Sequence, residues 1–443
     1  MICFRLAYGI KTGHSHKVIK HLSVALFILS IVLVLCDVKH LRKFTTYYII
    51  PSLPFIDQSD RPPTYDDLRK WEQNLPQHNL DLQFPEGKTG RYVMFTSSQV
   101  EVLGWNNKFI NVEWTPHTPL NAFFSGPTAG GPWGPGDSSP RSISDKWYEV
   151  VCPKEERKYI NTHDVKPAIY WEDGIVIFDH WRTILSEAPE QCIEVIAPRP
   201  EIDSTPQVFD LHLWGSGRSL SLWEEFKNSP VSQLLSASPI VRSAIETNLP
   251  SFSPGELDLQ VPQSNVSNIT PFSNTLSAHI RRGDFRRQCR HFWTWSSTYY
   301  NWNLLPFLLD RFDPPPGFSW GANIPQNLPI FLKRCWPDIP TIIKRIHDVR
   351  EDYLRTTTTQ EQKQLKTVYV MTNDNSPWLD ELRLALKLDG WEIVLTTSDL
   401  ILNAEQKEVG VSVDMEIGRR SELFIGNGVR KRRLAIHLPT YVN

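Results

Sequence analysis

The chain has 443 residues, of which 40% are hydrophobic and 22% charged, and its formal net charge at pH 7 is -2. This is an ordinary globular composition, and the length allows two domains with sizeable cores. The near-neutral charge argues against a dedicated nucleic-acid-binding protein, so no nucleic-acid partner is expected.

The N-terminus carries a candidate membrane segment. Residues 22–36 are apolar except for Ser23 and Ser30, and residues 1–21, which contain several basic side chains, would form a cytoplasmic tail. The apolar run is short for a span, which needs about 20 residues. Because no Ala-x-Ala cleavage site follows, we favour a single-pass signal anchor over a cleaved signal or a buried helix.

The first half of the chain after this segment is predicted to form a stem and a folded domain. Residues 37–85 are rich in Pro, Asp and Gln, which favours a stem with one short helix at 65–75. Strands are predicted in the domain at 92–95, 168–171, 175–178 and 208–213. The Gly- and Pro-rich run at 125–132 must be a loop, either a surface linker or a loop that faces a cleft.

Residues 251–274 form a polar linker with two sequons, at Asn265 and Asn268, which are candidates for glycosylation in the secretory lumen. After the linker, strands and helices alternate. Strands are predicted at 276–280, 367–371, 391–395 and 423–425, and helices at 342–353, 378–388 and 411–421. This alternation predicts an α/β fold with a parallel, Rossmann-like sheet.

Cysteine usage agrees with a lumenal body. Apart from Cys3 and Cys36, which flank or lie in the membrane segment, the chain has Cys152, Cys192, Cys289 and Cys335. We predict two disulfides between nearest neighbours, Cys152 with Cys192 and Cys289 with Cys335. Four buried free thiols in a cytosolic protein are the alternative.

The most informative stretch is His-Ile-Arg-Arg-Gly-Asp-Phe at 279–285, at the end of a predicted strand. Alternation along the strand would put His279 and Arg281 on one face, and Gly283 would let the chain turn sharply. Guanidiniums bind a diphosphate bidentately, and an imidazole can donate another hydrogen bond. The stretch therefore predicts an anion site where open α/β sheets bind their ligands.

Other interpretations of this stretch stay open. Arg281 could pair with Asp284, the arginines up to Arg290 could form a solvated basic face, and the Arg-Gly-Asp tripeptide at 282–284 could serve cell adhesion. The chain contains no Asp-x-Asp pair, no Gly-x-Gly-x-x-Gly and no Walker loop. A metal–diphosphate device, hydride transfer and P-loop phosphoryl transfer are therefore not favoured.

The stretch at 279–285 resembles the signature of the GDP-fucose protein O-fucosyltransferase family, especially its fungal members. Other segments match the family in the same order, at 104–107, 126–131, 213–216, 368–374 and 413–417 through 424–428. The resemblance covers roughly residues 85–428.

The resemblance implies a GT-B fold, in which two Rossmann-like domains face a cleft. Residues 86–250 would form the acceptor-side domain, and residues 275–430 would bind GDP-fucose. The implied reaction is an inverting transfer of fucose to a protein or glycan hydroxyl, with no cofactor and no metal. The enzyme would lie in the Golgi or endoplasmic reticulum membrane with a lumenal body.

The resemblance also assigns residues. Arg281 would hold the donor diphosphate and stabilise the leaving charge, with His279 beside it, and these two are the catalytic candidates. The candidates for GDP-fucose binding are Asn106 and Asn107 in the first domain and Arg282, Asn373, Asp374, Asp414 and Asn427 in the second.

The chain departs from the family at two places. Residues 108–114 run almost directly from one motif into the next, so that about one βα unit of the first domain is missing. After 426–428, a basic run replaces the family's Ser/Thr-rich phosphate-binding segment, and residues 431–443 form an atypical basic tail. An inactive, membrane-anchored relative that binds glycans or proteins is therefore the alternative to an active transferase.

Overall fold

The computed structural model describes residues 61–83, 87–96, 118–126, 131, 141–196, 202, 208–209, 213, 216–252, 272–283, 285–298, 304–307, 312–356 and 365–426, together with the backbone of residues 4–8. The chain divides into two compact units. Unit 1 comprises Met1–Ile31, Thr46–Trp214 and Arg218–Arg242, and unit 2 comprises Val32–Thr45, Gly215–Gly217 and Ser243–Asn443.

Several sequence predictions lie outside the described residues: the membrane segment at 22–36, Asn106, Asn107, the sequons at Asn265 and Asn268, Asp284, Asn427 and the tail at 431–443. Within the part of the chain that the structure describes, no helix is long and apolar enough to cross a membrane.

Unit 1 is built around a five-stranded mixed sheet with the order β4-β1-β2-β6-β5. Its strands are β1 (Phe4–Tyr8), β2 (Arg91–Thr96), β3 (Phe124–Ser125), β4 (Arg141–Ser142), β5 (Lys158–Asn161), β6 (Cys192–Ile196) and β7 (Ser236–Ala237). Strand β1 lies in the predicted tail at 1–21 and pairs antiparallel with β2 and β4, whereas β2, β6 and β5 are parallel. Strands β3 and β7 form a separate antiparallel pair.

The helices of unit 1 are α1 (Tyr65–Glu72), α2 (Asp145–Val151), α3 (Thr162–Val165), α4 (Gly174–Glu187), α5 (Trp223–Lys227) and α6 (Pro230–Leu234), and α7 (Pro239–Phe252) contains the boundary with unit 2. Helix α1 confirms the short helix predicted in the stem. The residues after it pack on unit 1, since Gln77 Nε2 donates to the Gly131 carbonyl at 3.0 Å and Trp147 Nε1 donates to the Asn79 carbonyl at 3.1 Å.

The sequence predicted β2 correctly but was wrong about two other strands of unit 1. Residues 166–169 form a 3-10 helix, and residues 175–178 belong to α4. The buried side chains of α4 include Ile177, Phe178, Trp181 and Leu185, which recur with a helical period. The four consecutive apolar residues at 175–178 are too few to distinguish a strand, with a period of 2, from a helix, with a period of 3.6. Of the strand predicted at 208–213, the structure describes 208, 209 and 213, and none of these is in a strand.

Unit 2 contains a four-stranded parallel sheet with the order β12-β11-β8-β13. Its strands are β8 (Thr275–His279), β11 (Thr367–Met371), β12 (Ile393–Thr396) and β13 (Leu423–Ile425), and β9 (Phe318–Ser319) and β10 (Ala322–Asn323) form a separate hairpin. The helices are α8 (Phe285–Thr294), α9 (Leu328–Cys335), α10 (Ile339–Thr356), α11 (Pro377–Leu388), α12 (Ala404–Glu408) and α13 (Gly410–Arg420). The predicted α/β fold with a parallel sheet is confirmed for this unit.

Helices cover both faces of the unit 2 sheet. Leu276, Ala278 and Ile280 alternate along β8 and its extension, and they pack in one core with side chains of α10 and α11. On the other face, Tyr369 of β11 stacks edge-on against Phe252 of α7, with ring centroids 5.4 Å apart. The central strands β8 and β11 are therefore buried on both faces, which is typical of a parallel sheet, whereas the outer strands β12 and β13 are partly exposed.

Both predicted disulfide pairs are present in the structure. Cys152–Cys192 joins the end of α2 to β6, and Cys289–Cys335 joins α8 to the end of α9. The second disulfide is buried in a small core with Phe292, Phe312 and Phe331. It connects the helix that follows β8 to the segment that precedes α10.

The strand order of unit 2 identifies one position at the carboxyl edge of the sheet. The chain proceeds from β8 to β11 and β12 on one side, and then returns to place β13 on the other side of β8. The direction of strand addition therefore reverses between β8 and β13. Open α/β sheets bind ligands in the crevice outside the carboxyl ends of the strands at such a switch point.

Candidate functional site

The residues after β8 lie at this switch point. His279 is the last residue of β8, and it lies on the opposite face from the core residues Leu276 and Ala278. Burial, and then the positive charge of Arg281, lower the pKa of His279 from 6.5 to about 4. The imidazole is therefore neutral at pH 7. Its Nδ1 is buried and has no hydrogen-bond partner among the described residues.

The two adjacent arginines have different environments. Arg281 is exposed, and its charge acts on His279, so the structure brings the two catalytic candidates together. Arg282 is buried, with only 4% of its surface exposed. Its guanidinium lies 3.8 Å from the ring centroid of Trp378 and 4.6 Å from that of Trp336.

Arg282 ties three segments of unit 2 together. Besides contacting the two indoles, its Nη2 donates to the carbonyl of Pro337 at 2.5 Å. Burial lowers the pKa of Arg282 to about 10, while the charges of Asp374 and Asp338 act in the opposite direction. A planar guanidinium suits this stacked position, which the ammonium of lysine could not fill in the same way. We therefore assign Arg282 a positioning role.

This burial also bears on the adhesion interpretation. An Arg-Gly-Asp ligand must present its arginine to a receptor, whereas Arg282 lies between two indoles just beyond a strand end. The structure therefore argues against cell adhesion through this tripeptide.

Gly283 makes the turn that the sequence predicted. Its φ is +65°, in the left-handed region that side chains with a Cβ rarely adopt. A Cβ at this position would come within 3.2 Å of Asn373 Nδ2. The oxygen of the same side-chain amide forms a hydrogen bond with the backbone of the motif: Asn373 Oδ1 accepts from the backbone N–H of Arg282 at 2.9 Å. Asn373 thus fixes the backbone at Arg282, directly before the turn at Gly283.

Gly283→Ala is expected to lower the free energy of unfolding by about 1–2 kcal/mol, since the left-handed conformation costs about that much for a residue with a Cβ. Urea unfolding of the two proteins measures the difference. The control is Gly410→Ala at the start of α13, where a Cβ would have no atom within 4 Å and φ is not in the left-handed region. An equal loss in both variants would contradict the assigned turn.

A series of hydrogen bonds links α13 to β11 and to the residues that follow β11 and β12. Asp414 of α13 accepts from the hydroxyls of Tyr369 and Thr397, the latter at 2.9 Å. Thr397 Oγ1 in turn accepts from the N–H of Thr372 at 3.1 Å. Thr372 is the first residue after β11 and directly precedes Asn373. These hydrogen bonds therefore position the loop after β11, and Asn373 of this loop positions the backbone of Arg282.

Asp414 is buried within this chain of bonds. Burial raises its pKa from 3.8 to about 6, although the hydrogen bonds from Tyr369 and Thr397 act to lower it. Burial, and then the charge of Asp414, raise the pKa of Tyr369 well above its usual value, so that its hydroxyl stays protonated and donates. Both oxygens of Asp414 already have partners. We therefore assign Asp414 a positioning role through Tyr369 and Thr397, and its contact with GDP-fucose stays a prediction.

The loop after β11 ends in a short turn that starts α11. The N–H of Asp374 donates to Thr372 Oγ1 at 3.1 Å, and Asp374 Oδ1 accepts from the N–H of Ser376 at 2.7 Å. Aspartate and threonine side chains commonly form such turns. The second carboxylate oxygen, Asp374 Oδ2, is in none of these bonds.

Six of the predicted site residues meet at the carboxyl edge of the unit 2 sheet: His279, Arg281, Arg282, Asn373, Asp374 and Asp414. Asn106, Asn107 and Asn427 lie outside the described residues. The sequence did not identify Trp336, Trp378, Tyr369 or Thr397 as parts of the site. Only Tyr369 and its neighbours lay in a recognised segment, and nothing near Trp336 pointed to Arg282.

Among the described residues, no group of three or more His, Cys, Asp and Glu side chains is arranged to hold a metal ion. Comparison of the chain with models of protein families, with curated proteins and with solved structures finds no match.

Proposed function

We propose that unit 2 binds a nucleoside-diphosphate sugar through Arg281, and that the sugar donor is GDP-fucose. The observation that carries the proposal is an exposed arginine beside a half-buried imidazole, whose Nδ1 is buried and has no partner among the described residues, at the switch point of a parallel sheet. The resemblance of the sequence to the O-fucosyltransferases selects the nucleotide and the sugar. On this proposal the chain belongs to that family and has its two-domain GT-B fold.

The proposed reaction is transfer of fucose to a hydroxyl of a protein or glycan, with inversion and without a metal. As the anomeric C–O bond breaks, negative charge develops on the diphosphate, and an arginine beside the diphosphate stabilises that charge more than it stabilises the ground state. Arg281 takes this role. A neutral His279 can donate a hydrogen bond to the leaving group without adding a second desolvated charge beside Arg281. In the proposal, the first domain contributes Asn106 or Asn107, and the protein acts in the lumen of the secretory pathway, on the same side of the membrane as β1, which pairs with β2.

Isothermal titration of the chain with GDP and with GDP-fucose tests the binding step. We expect saturable binding of both, and we expect Arg281→Ala to weaken it about 10- to 100-fold, as the loss of one or two charged hydrogen bonds would. Lys387→Ala is the matched control, because it removes an exposed positive charge near the C-terminus of α11, at the opposite edge of the sheet.

Absence of saturable GDP binding by the folded chain would contradict the proposal, as would equal affinities of wild type and Arg281→Ala. Incubation with GDP-fucose then separates an active transferase from the inactive alternative: water can replace the acceptor hydroxyl in an active enzyme, which slowly releases GDP and free fucose, whereas the inactive protein would bind the donor without releasing GDP. The departures from the family after residue 428 motivate this second measurement.

A further inference from the structure

Arg282 is enclosed by two parts of unit 2 that are anchored in different ways. Trp378 lies at the start of α11, a helix that packs on the core of the parallel sheet. Trp336 and Pro337 lie in the short connection between α9, which ends at Cys335, and α10. Because α10 packs on the same sheet core, it fixes one end of this connection. The other end depends on what holds Cys335.

The segment that leads to Cys335 is not attached to the sheet through strands. Of the described residues between 295 and 327, none belongs to the parallel sheet, since the β9–β10 hairpin is a separate sheet. Helices α8 and α9 instead share a smaller core, in which Phe292, Phe312 and Phe331 surround the disulfide. The position of the end of α9 therefore depends on its attachment to α8.

The disulfide joins the end of α9 to the part of the chain that carries Arg282. Cys289 lies on α8, the helix that follows the motif, and Cys335 directly precedes Trp336. Along the backbone, Arg282 and Pro337 are separated by 55 residues. Through the disulfide the path is roughly ten residues, and the effective concentration of two groups falls with about the −3/2 power of the path between them. The shorter path therefore favours the contact by about tenfold.

We propose that the Cys289–Cys335 disulfide positions the candidate site by holding Trp336 and the Pro337 carbonyl against Arg282. Both sulfurs are buried, so an external thiol has no access to them in the folded chain. The bond is therefore a permanent part of the site. It acts through Arg282, whose backbone directly follows Arg281. This role stands without the proposed function, whereas its consequence for nucleotide binding rests on that function.

Modification of arginines by phenylglyoxal, located by mass spectrometry, tests the proposal on the full chain. The reagent reaches Arg282 only when the guanidinium leaves the space between the indoles, so the rate reports the population of this opening. Arg355, whose side chain is 66% exposed, is the reference in the same molecule. In wild type, Arg282 should react much more slowly than Arg355. In Cys289→Ala/Cys335→Ala, the Arg282 rate should rise by about three- to tenfold, since α10 still holds one end of the connection.

Cys152→Ala/Cys192→Ala is the matched control, because it removes the disulfide of unit 1, which spans 40 residues where Cys289–Cys335 spans 46. Loops of similar length predict similar losses of stability. The control should nevertheless change the Arg282 rate by less than about twofold, since its disulfide lies in the other unit.

Equal Arg282 rates in wild type and in Cys289→Ala/Cys335→Ala would overturn the proposal. An equal rise in the two disulfide variants would also overturn it, because general destabilisation would then explain the rate. If the alanine pair does not fold, Cys289→Ala/Cys335→Val is measured in its place, since it keeps about the volume of two cysteines in the small core.

GDP provides a separate measurement on the same variant. A nucleotide that binds beside Arg281 selects the closed arrangement, so saturating GDP should slow the modification of Arg282 in Cys289→Ala/Cys335→Ala towards the wild-type rate. A raised rate that GDP does not slow would support the role of the disulfide and contradict the proposed nucleotide site. A rate that is not raised in the absence of GDP would contradict the role of the disulfide alone.

Discussion

Arg282→Ala is expected to lower the free energy of unfolding by about 3 kcal/mol, whereas Arg281→Ala should change it by less than about 0.5 kcal/mol. The Arg282 guanidinium lies between Trp336 and Trp378 and donates to the Pro337 carbonyl. A desolvated cation–π contact contributes about 2 kcal/mol and a charged hydrogen bond about 1.5–3 kcal/mol, and the cost of burying the charge offsets part of their sum. Alanine would leave the two indoles without the group between them.

Urea unfolding followed by tryptophan fluorescence measures both variants, since Trp336 and Trp378 report on the altered site. Arg282→Lys separates shape from charge: it keeps the positive charge but cannot stack in the same plane, so it should recover less than half of the loss. Equal stability of the Arg281→Ala and Arg282→Ala proteins would contradict the assigned division of roles. The titration with GDP is expected to rank them in the opposite order, with Arg281→Ala more severely affected.

The fold of unit 2 was largely predictable because its central strands, β8 and β11, are buried on both faces. Strands β11 and β13 match the predicted ranges residue for residue, and β8 and β12 differ by one or two residues at their ends. Val368, Tyr369 and Val370 are all fully buried, so the strand appears in the sequence as an uninterrupted apolar run. Turns and polar residues at each end then set its length.

Unit 1 was less predictable because its elements do not carry such runs. Strand β5 (Lys158–Asn161) begins with two exposed residues, and β6 (Cys192–Ile196) contains the buried Glu194. Glu194 is tolerated there because it accepts a hydrogen bond from Arg157 at 3.0 Å. An ion pair between residues distant in the sequence has no local signal. Local sequence patterns therefore do not predict those strands of unit 1 that are stabilised by contacts between residues distant in the sequence.

The candidate site shows the same division. The alternation of apolar residues along β8 and the glycine at 283 correctly predicted that His279, Arg281 and Gly283 lie at the end of a strand. The same pattern gave no means of telling which of two adjacent arginines is buried. That choice depends on Trp336 and Trp378, which approach Arg282 from two other segments of the chain. The sequence therefore predicted which residues lie at the strand ends, but it did not predict that Trp336 and Trp378 pack around Arg282.

Asp414 is expected to make the free energy of unfolding fall by about 2 kcal/mol between about pH 4.5 and pH 7.5. Its folded-state pKa of about 6 lies above the ordinary value of 3.8 because the carboxyl is buried. Between these two values the folded chain keeps a proton that the unfolded chain has released. Stability present below about pH 4 is therefore lost as the pH rises through about 6, and it stays constant above that range.

Asp414→Asn should lack this component, since an amide does not titrate. The measurement is urea unfolding of wild type and variant at both pH values; in their difference, the titration of all other groups cancels. Tyr369→Phe is the companion variant. It removes a donor that lowers the pKa of Asp414, so it should raise that pKa further and enlarge the fall with pH. If the stability difference between wild type and Asp414→Asn is the same at the two pH values, Asp414 does not titrate in this range, and its burial at the centre of the hydrogen-bond chain is contradicted.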